Sequence, residues 1–485
     1  MGFFVGALLG ARMVGAKAPP TRNDMQAPFD IAADLDTPVS AYLKLGSLKP
    51  RFLLESVEGG ERLARYSFLG FGNALEVRMD ASALIINGES CARPTNQQEH
   101  LDALRAALSA APRPGPAVDG LPFSGGLVGV SGYDVVRLFE KLPQDTVAQA
   151  NVPDAAFVAP ASLLVFDHLT RRVALLHDGP EAERKQLRQE VIRLLRAGIP
   201  ASNGNVTISA AEASFSEAEF SERVEGCKEY IAAGDIYQIV MSILFSGRSN
   251  VAPFEVYRAL RLLNPSPYMF FFDFDDLQVV GSSPEALVKL NGNKASLRPI
   301  AGTQPRGETR EQDIANEKSL LADPKEAAEH VMLVDLARND LGRVAAAGSV
   351  QVDPYRAIER YSHVMHIVSG VQGVLADGYD QFDLFAASFP AGTLVGAPKV
   401  RAMEIIEEME GVGRGLYAGT AGYFGLSGDM DQAITIRTLV FSGDEYSFQA
   451  GAGIVADSVP ANEYREVLAK SAILRRALEI AGEGL

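Results

Sequence analysis

The chain has 485 residues, 47% of them hydrophobic and 22% charged, the composition of an ordinary soluble globular protein too long for a single compact core. A formal net charge of −16 argues against general binding to nucleic acid or anionic membrane and leaves room only for a local basic pocket. The two cysteines, Cys91 and Cys227, are far apart and lack metal-binding spacing, so both read as free thiols of a reducing compartment, the cytoplasm; tryptophan is absent.

The chain opens on "MGFFVGALLGARMVGAKAPP", an apolar run without the basic start of a signal peptide and too interrupted to span a membrane. Residues 1–24 are expected to be a disordered or misassigned extension, with Met25 as an alternative start and a targeting segment as the other reading. Residues 25–205 read as a mixed α/β domain. "LKPRFLLESVEGGERLARYSFLGFG" is strand, glycine turn and strand, whereas "EHLDALRAALSAA" and "EAERKQLRQEVIRLLRAG" have helical periodicity. The polar break at 198–207, "GIPASNGNVT", sets a boundary near 200–212, and 206–485 forms the second domain.

That second half opens on a helix from about Glu217 to Ala233, with a capping box from Ser216 to Glu219, then a Gly-Asp turn and a strand. "QVVGSSPEALVKL" and "ASLRPIAGT" read as paired strands. The second runs into "RPIAGTQPRG" (298–307), a stiff, glycine-broken, doubly basic stretch in an acidic chain. Residues 323–344 are helical, with Glu329 and His330 interrupting the apolar face and Arg338 and Asp340 near the end. "YSHVMHIVSGVQG" is strand-like, so His363 and His366 point to opposite faces and only one can face a given cavity.

"FPAGTLVGAPKVRAMEIIEEME" joins a glycine-rich turn to a helix with Pro398 near its first position, but lacks the spacing of a nucleoside-triphosphate loop. The final hairpin, "QAITIRTLVF" and "YSFQAGAGIVAD", has a turn centred near 444 that puts Arg437 opposite Gly451. An arginine fork facing Gly451, Ala452 and Gly453 suits a carboxylate or phosphate; an edge arginine beside small residues is the plainer alternative. On the last helix, from about Pro460, Glu463, Glu466 and Lys470 share one arc. Glu466 and a carboxylate of the 323–344 helix could share a hard cation, or be unrelated surface acids.

The succession "LLES", "NPSPYMFFF", "GSSPE", "RPIAGTQPRG", "EHVMLVDLARNDLGRV", "YSHVMHIVSGV", "FPAGTLVGAPKVRAMEII", "GLYAGTAGYF", "ITIRT" and "QAGAGIVADSVPANEYREVLAK" resembles the chorismate-utilising enzymes, and among them most closely the large subunits of anthranilate synthases. The resemblance spans about residues 35–480. It implies an α+β, two-lobed fold whose β-sandwich core of antiparallel sheets is flanked by helices, with 25–205 regulatory and 206–485 catalytic. It implies a cytoplasmic enzyme making anthranilate from chorismate, the first committed step towards tryptophan.

Carried over by motif position, Gly302, Thr303, Tyr417, Arg437, Gly451, Ala452, Gly453 and Lys470 should hold chorismate. Glu329 and Glu466 should ligate Mg2+. His366 should move protons, with Gln238 and Thr303 beside the reacting atoms. Ala301 stands where aminodeoxychorismate synthases commonly carry a nucleophilic lysine, and Gln238 where isochorismate and salicylate synthases carry a basic lysine; both point to direct attack by ammonia. No cysteine sits in a nucleophile-elbow context, so the resemblance implies a separate glutamine amidotransferase subunit, anthranilate synthase component II, in a heterotetramer. "LLES" and "NPSPYM" resemble the two halves of a tryptophan feedback site, with Ser56, Pro267, Tyr268 and Met269 around the inhibitor.

Overall fold

The computed structural model describes residues 28–56, 65–200, 206–360 and 364–485. The N-terminal extension, the alternative start at Met25 and His363 lie outside the described residues. Among the described residues, 21 strands join one continuous, curled sheet, and three more form a small separate sheet; the strand pairs of both are antiparallel.

The strand Tyr268–Asp273 shows how the sheet is buried. Met269 through Phe272 are all buried, and alternation divides them: Met269 and Phe271 enter one core, Phe270 and Phe272 the other. Neighbouring strands split likewise. Phe52 and Val128 join the core of Phe270, while Leu53 and Leu127 join that of Phe271. The Phe270 core is made by the sheet folding onto itself. The Phe271 core also takes residues from helices, such as Phe254, Tyr257 and Leu474. The expected sandwich flanked by helices is thus present, built from one sheet.

The sheet runs through both halves of the sequence. Strand Pro50–Glu55 pairs with Tyr268–Asp273, and Gly126–Ser131 pairs with Thr420–Gly425. Helix Glu217–Ala233 has the expected capping box: Ser216 Oγ accepts from the Glu219 amide, and the Glu219 carboxylate accepts from the Ser216 amide at 2.8 Å. It ends at Gly234, whose φ of +86° favours glycine. Helices Pro324–Gly342 and Pro460–Glu483 form where their periodicity places them.

One strand expectation needs correcting. Ala286–Asn291 does pair with Lys294–Leu297, but the chain then leaves the large sheet at Arg298-Pro299. Residues Ile300–Pro305 pair instead with Val364–Val368, which Ala357–Arg360 flanks on its other edge. Pro299 has no N–H to extend the first ladder, and Gly302, at φ +66°, sits in a bulge between Ala301 and Thr303. Cys91 and Cys227 are both free thiols. Among the described residues, no helix is long and apolar enough to cross a membrane.

Candidate active site

Two strands make the floor of a cavity of about 370 Å³. Gln238–Arg248 runs antiparallel to Glu445–Ile454, with Val240 opposite Gly453 and Ser242 opposite Gly451. A Cβ on Gly451 would lie 2.7 Å from the Tyr417 hydroxyl, and one on Gly453 would lie 2.8 Å from Gln238 Nε2. At Gly451 a Cβ would also lie 2.7 Å from the backbone Met241 O, so close approach requires glycine there, whereas at Gly453 it would meet only the movable end of Gln238; at both the backbone is open to a ligand. Ala452 alternates to the other face and is fully buried, so it contributes backbone only.

Arg437 lines the same cavity, but by another route than the hairpin register predicts. The ladder pairs Leu439 with Phe448 and Ser442 with Glu445, centring the turn between 443 and 444 and ending before Arg437. Arg437 itself adopts φ +50°, and its carbonyl accepts from the Ser282 amide at 3.1 Å. A non-glycine residue held there costs about 1–3 kcal/mol, and such residues gather at functional sites.

Two helices supply the carboxylates. Pro324–Gly342 brings Lys325, Glu326 and Glu329 to the cavity, and Pro460–Glu483 brings Glu463, Glu466 and Lys470. Lys470 Nζ donates to Gly451 O at 3.0 Å and pairs with Glu466 at 2.7 Å. The pair is about half exposed, so as an ion pair alone it contributes only about 0.3–0.5 kcal/mol. Burial raises the pKa of Glu326, and Glu329 and Asp323 add to the effect; burial likewise raises that of Glu463, with Glu466 adding to it.

Glu285, at the end of "GSSPE", is a residue that sequence reasoning left without a role. It is half-buried in the cavity wall and accepts a hydrogen bond from Thr393 Oγ1 at 3.0 Å. Burial pushes its carboxyl up to about 7, against the opposing pull of Thr393, Lys470 and Arg437. The cavity thus carries five carboxylates, Glu285, Glu326, Glu329, Glu463 and Glu466, against Lys325, Arg437 and Lys470. Hard oxygens in excess over local cations fit a magnesium ion, which takes one or two protein carboxylates. Among the described residues, no group of three or more His, Cys, Asp or Glu side chains is arranged to hold a metal, so protein ligands alone do not complete a cage.

Gly302, Thr303 and His366 are not in the cavity lining. They lie together in the small sheet, where Thr303 pairs with His366. His366 Nδ1 is 2.9 Å from Gly302 O and 3.1 Å from Thr303 Oγ1; a carbonyl only accepts, so Nδ1 carries the hydrogen of the first contact. This sheet abuts the cavity, since a Cβ on Gly302 would lie 3.0 Å from Glu326 Oε2. Two other sequence candidates do structural work. His330 is buried against Ser369 Oγ at 2.6 Å, with burial lowering its pKa to about 4, and Asp340 is ion-paired to Lys399 at 2.9 Å.

A second cavity, of about 390 Å³, is lined by Ser56, Pro267, Tyr268 and Met269. Strand pairing sets Met269 opposite Glu55, which brings "LLES" and "NPSPYM" side by side. Glu55 is buried and accepts from Tyr257 at 2.5 Å and Arg261 at 2.9 Å; Tyr268 donates to Asp431 at 3.1 Å. A smaller cavity, of about 50 Å³, shares Glu285 and Thr393 with the first and Ala286 and Arg298 with the second.

The sequence pattern of the chorismate binding enzymes matches residues 49–476. Anthranilate synthase component 1 of Thermus thermophilus is 45% identical over 458 residues, covering 93% of this chain and 97% of the relative. The chain belongs to the anthranilate synthase component 1 family. The component 1 of Aquifex aeolicus is 44% identical over 477 residues, covering 94% of each chain. Among solved structures, anthranilate synthase component I from Streptococcus pneumoniae superposes with a TM-score of 0.77 at 35% identity, covering 92% of this chain and 99% of that one. The menaquinone-specific isochorismate synthase of Escherichia coli, at 20% identity and a TM-score of 0.67 over 92% of each chain, shares the fold. Membership of the component 1 family accounts for the order in which the motifs occur along the chain.

Proposed function

We propose that the protein is the large subunit of an anthranilate synthase, converting chorismate and ammonia to anthranilate, pyruvate and water. The observation that carries this reading is the single cavity that gathers Gln238, Tyr417, Arg437, Gly451, Gly453 and Lys470 with Glu329 and Glu466, in a chain of the component 1 family. Arg437 and Lys470 supply cationic donors for the carboxylates of chorismate, and the glycines bring the ligand onto open backbone. Glu329 and Glu466 would hold magnesium, whose charge, when bound, would polarise a substrate carboxylate.

Ammonia adds to the ring carbon beside the carboxylate-bearing carbon, and the ring hydroxyl departs with a proton as water. Glu285, with a carboxyl near 7, is suited to deliver that proton. Loss of pyruvate then makes the ring aromatic, with His366 as the proton carrier as the small sheet meets the cavity. Neither Ala301 nor Gln238 offers an amine, which favours direct attack by ammonia. A glutamine amidotransferase subunit supplies that ammonia. Residues 25–205 serve regulation and 206–485 catalysis, and the second cavity takes tryptophan as inhibitor.

The test is to incubate the purified chain with chorismate, magnesium chloride and ammonium chloride and to follow anthranilate fluorescence, with product mass as a check. Isochorismate, aminodeoxychorismate or salicylate in place of anthranilate would overturn the reading. Glutamine should replace ammonium only when the amidotransferase subunit is added.

A further inference from the structure

Arg414 is the largest fully buried side chain among the described residues, and its partner Glu410 is buried with it. The guanidinium donates to both oxygens of Glu410, at 2.8 and 2.6 Å, to Val240 O at 2.7 Å and to Leu394 O at 2.7 Å. Glu410 Oε1 in turn accepts from the Ser242 amide at 2.9 Å and from Ser242 Oγ at 2.6 Å.

Val240 O and Ser242 N are two residues apart, so they project from the same edge of the Gln238–Arg248 strand. That edge pairs with Gly396-Ala397 at residues 238–239 and with Glu212-Ala213 at residues 245–246. Between those short ladders, Arg414 and Glu410 supply the donor and the acceptor that a neighbouring strand would offer at Val240 and Ser242. The opposite edge of the same segment pairs with Gly451–Gly453, the cavity floor.

The pair also reaches the cavity walls. The guanidinium lies 5.6 Å from the Tyr417 ring centroid, and Ser242 Oγ accepts from Gln449 Nε2 at 2.9 Å. Val240, Leu394, Tyr417 and Gln449 all line the cavity. A buried ion pair is weak ground for stability, because apolar side chains of similar volume often replace one at no cost. What apolar groups cannot do is fix the directions of four acceptors and a strand edge at once.

We propose that Arg414, braced by Glu410, is a positioning residue that sets the floor and walls of the cavity for its ligand. Its activity readout rests on the function proposed above; its structural readout does not. Two variants of the full chain test it: Arg414→Lys, whose single ammonium cannot serve acceptors in several directions, and the double variant Arg414→Met/Glu410→Leu, which removes both charges. Thermal midpoint, kcat, KM for chorismate with ammonium and magnesium, and hydrogen exchange are compared with the parent.

The expected result is at least a tenfold rise in KM for chorismate, with a smaller fall in kcat. Amide exchange should be faster over residues 238–248 and unchanged over 268–283, with the midpoint within a few degrees of the parent. If the double variant does not fold, Arg414→Lys decides by the same measures. A folded variant with parental KM and kcat would overturn the proposal. So would exchange that rises evenly along the whole chain with a lowered midpoint, which is the signature of a merely structural pair. If the parent itself makes no anthranilate, the functional reading fails, and the exchange pattern alone judges Arg414.

Discussion

Arg437 joins a left-handed backbone to a side chain that faces the cavity. Arg437 lies beyond the end of the hairpin ladder and lines the cavity whose floor carries Gly451 and Gly453. Arg437→Lys keeps the charge but loses the planar fork, so KM for chorismate should rise roughly ten- to a hundredfold, the span expected for a lost charge-assisted hydrogen bond. Steady-state kinetics at saturating ammonium would show it, and an unchanged KM would remove Arg437 from the carboxylate contact. Glu285 makes a different prediction. Its folded-state pKa is raised, so the folded protein binds a proton that the unfolded chain has released between about 4.5 and 7. Stability from this group is therefore lost as pH rises through that window. Proton delivery needs the protonated form, so kcat should fall as pH rises through about 7. Glu285→Gln should cut kcat at least a hundredfold and abolish that limb of the profile. A pH profile for the variant that matches the parent's would assign the titration elsewhere.

Two helices close the cavity, and each presents a pair of carboxylates one turn apart, Glu326 with Glu329 and Glu463 with Glu466. Glu329→Gln and Glu466→Gln should each raise the magnesium concentration for half-maximal activity tenfold or more. Neither should move the thermal midpoint appreciably, since the half-exposed Glu466–Lys470 pair contributes little to folding. Near-full activity at limiting magnesium in either variant would refute the metal assignment. Much of this architecture was legible in the sequence. The capping box at Ser216 marked one helix start, the Glu463–Glu466–Lys470 arc followed from helical spacing, and the glycines at 451 and 453 marked a close approach. Other features were not legible because they depend on tertiary contacts. The departure of Ile300–Pro305 into the small sheet follows from Pro299, the Gly302 bulge and a partner strand some 60 residues away. The hairpin turns on two residues, Gly443 at φ +61° and Asp444, which shifts its register by one residue, and Arg437 takes its own positive φ beyond the ladder, where periodicity cannot report it. Glu285 gains its raised pKa only from burial, and Glu326, one turn before Glu329, was open to the same spacing argument that found Glu463.

At the scale of the whole molecule, the two larger cavities have separate linings and are bridged by a small one that touches both Glu285 and Arg298. A ligand in the second cavity affects the first only if it binds two arrangements of that bridge with different affinity. Tryptophan should inhibit turnover, and Ser56→Ala or Met269→Thr should weaken inhibition at least tenfold while leaving uninhibited activity largely intact. Because the chain has no tryptophan, it adds no indole emission of its own, and a change in the ligand's indole emission or anisotropy on mixing measures affinity apart from activity. Inhibition as tight in both variants as in the parent would dismiss the second cavity as the inhibitor site. The continuity of the large sheet has a further consequence for the chain's divisibility. Strand 50–55 is zipped to 268–273, and 126–131 to 420–425, so each half carries sheet edges that only the other half covers. A protease cut between residues 200 and 206 should leave two fragments that co-elute as one particle, and each fragment made alone should aggregate through its bare edge until the other is supplied.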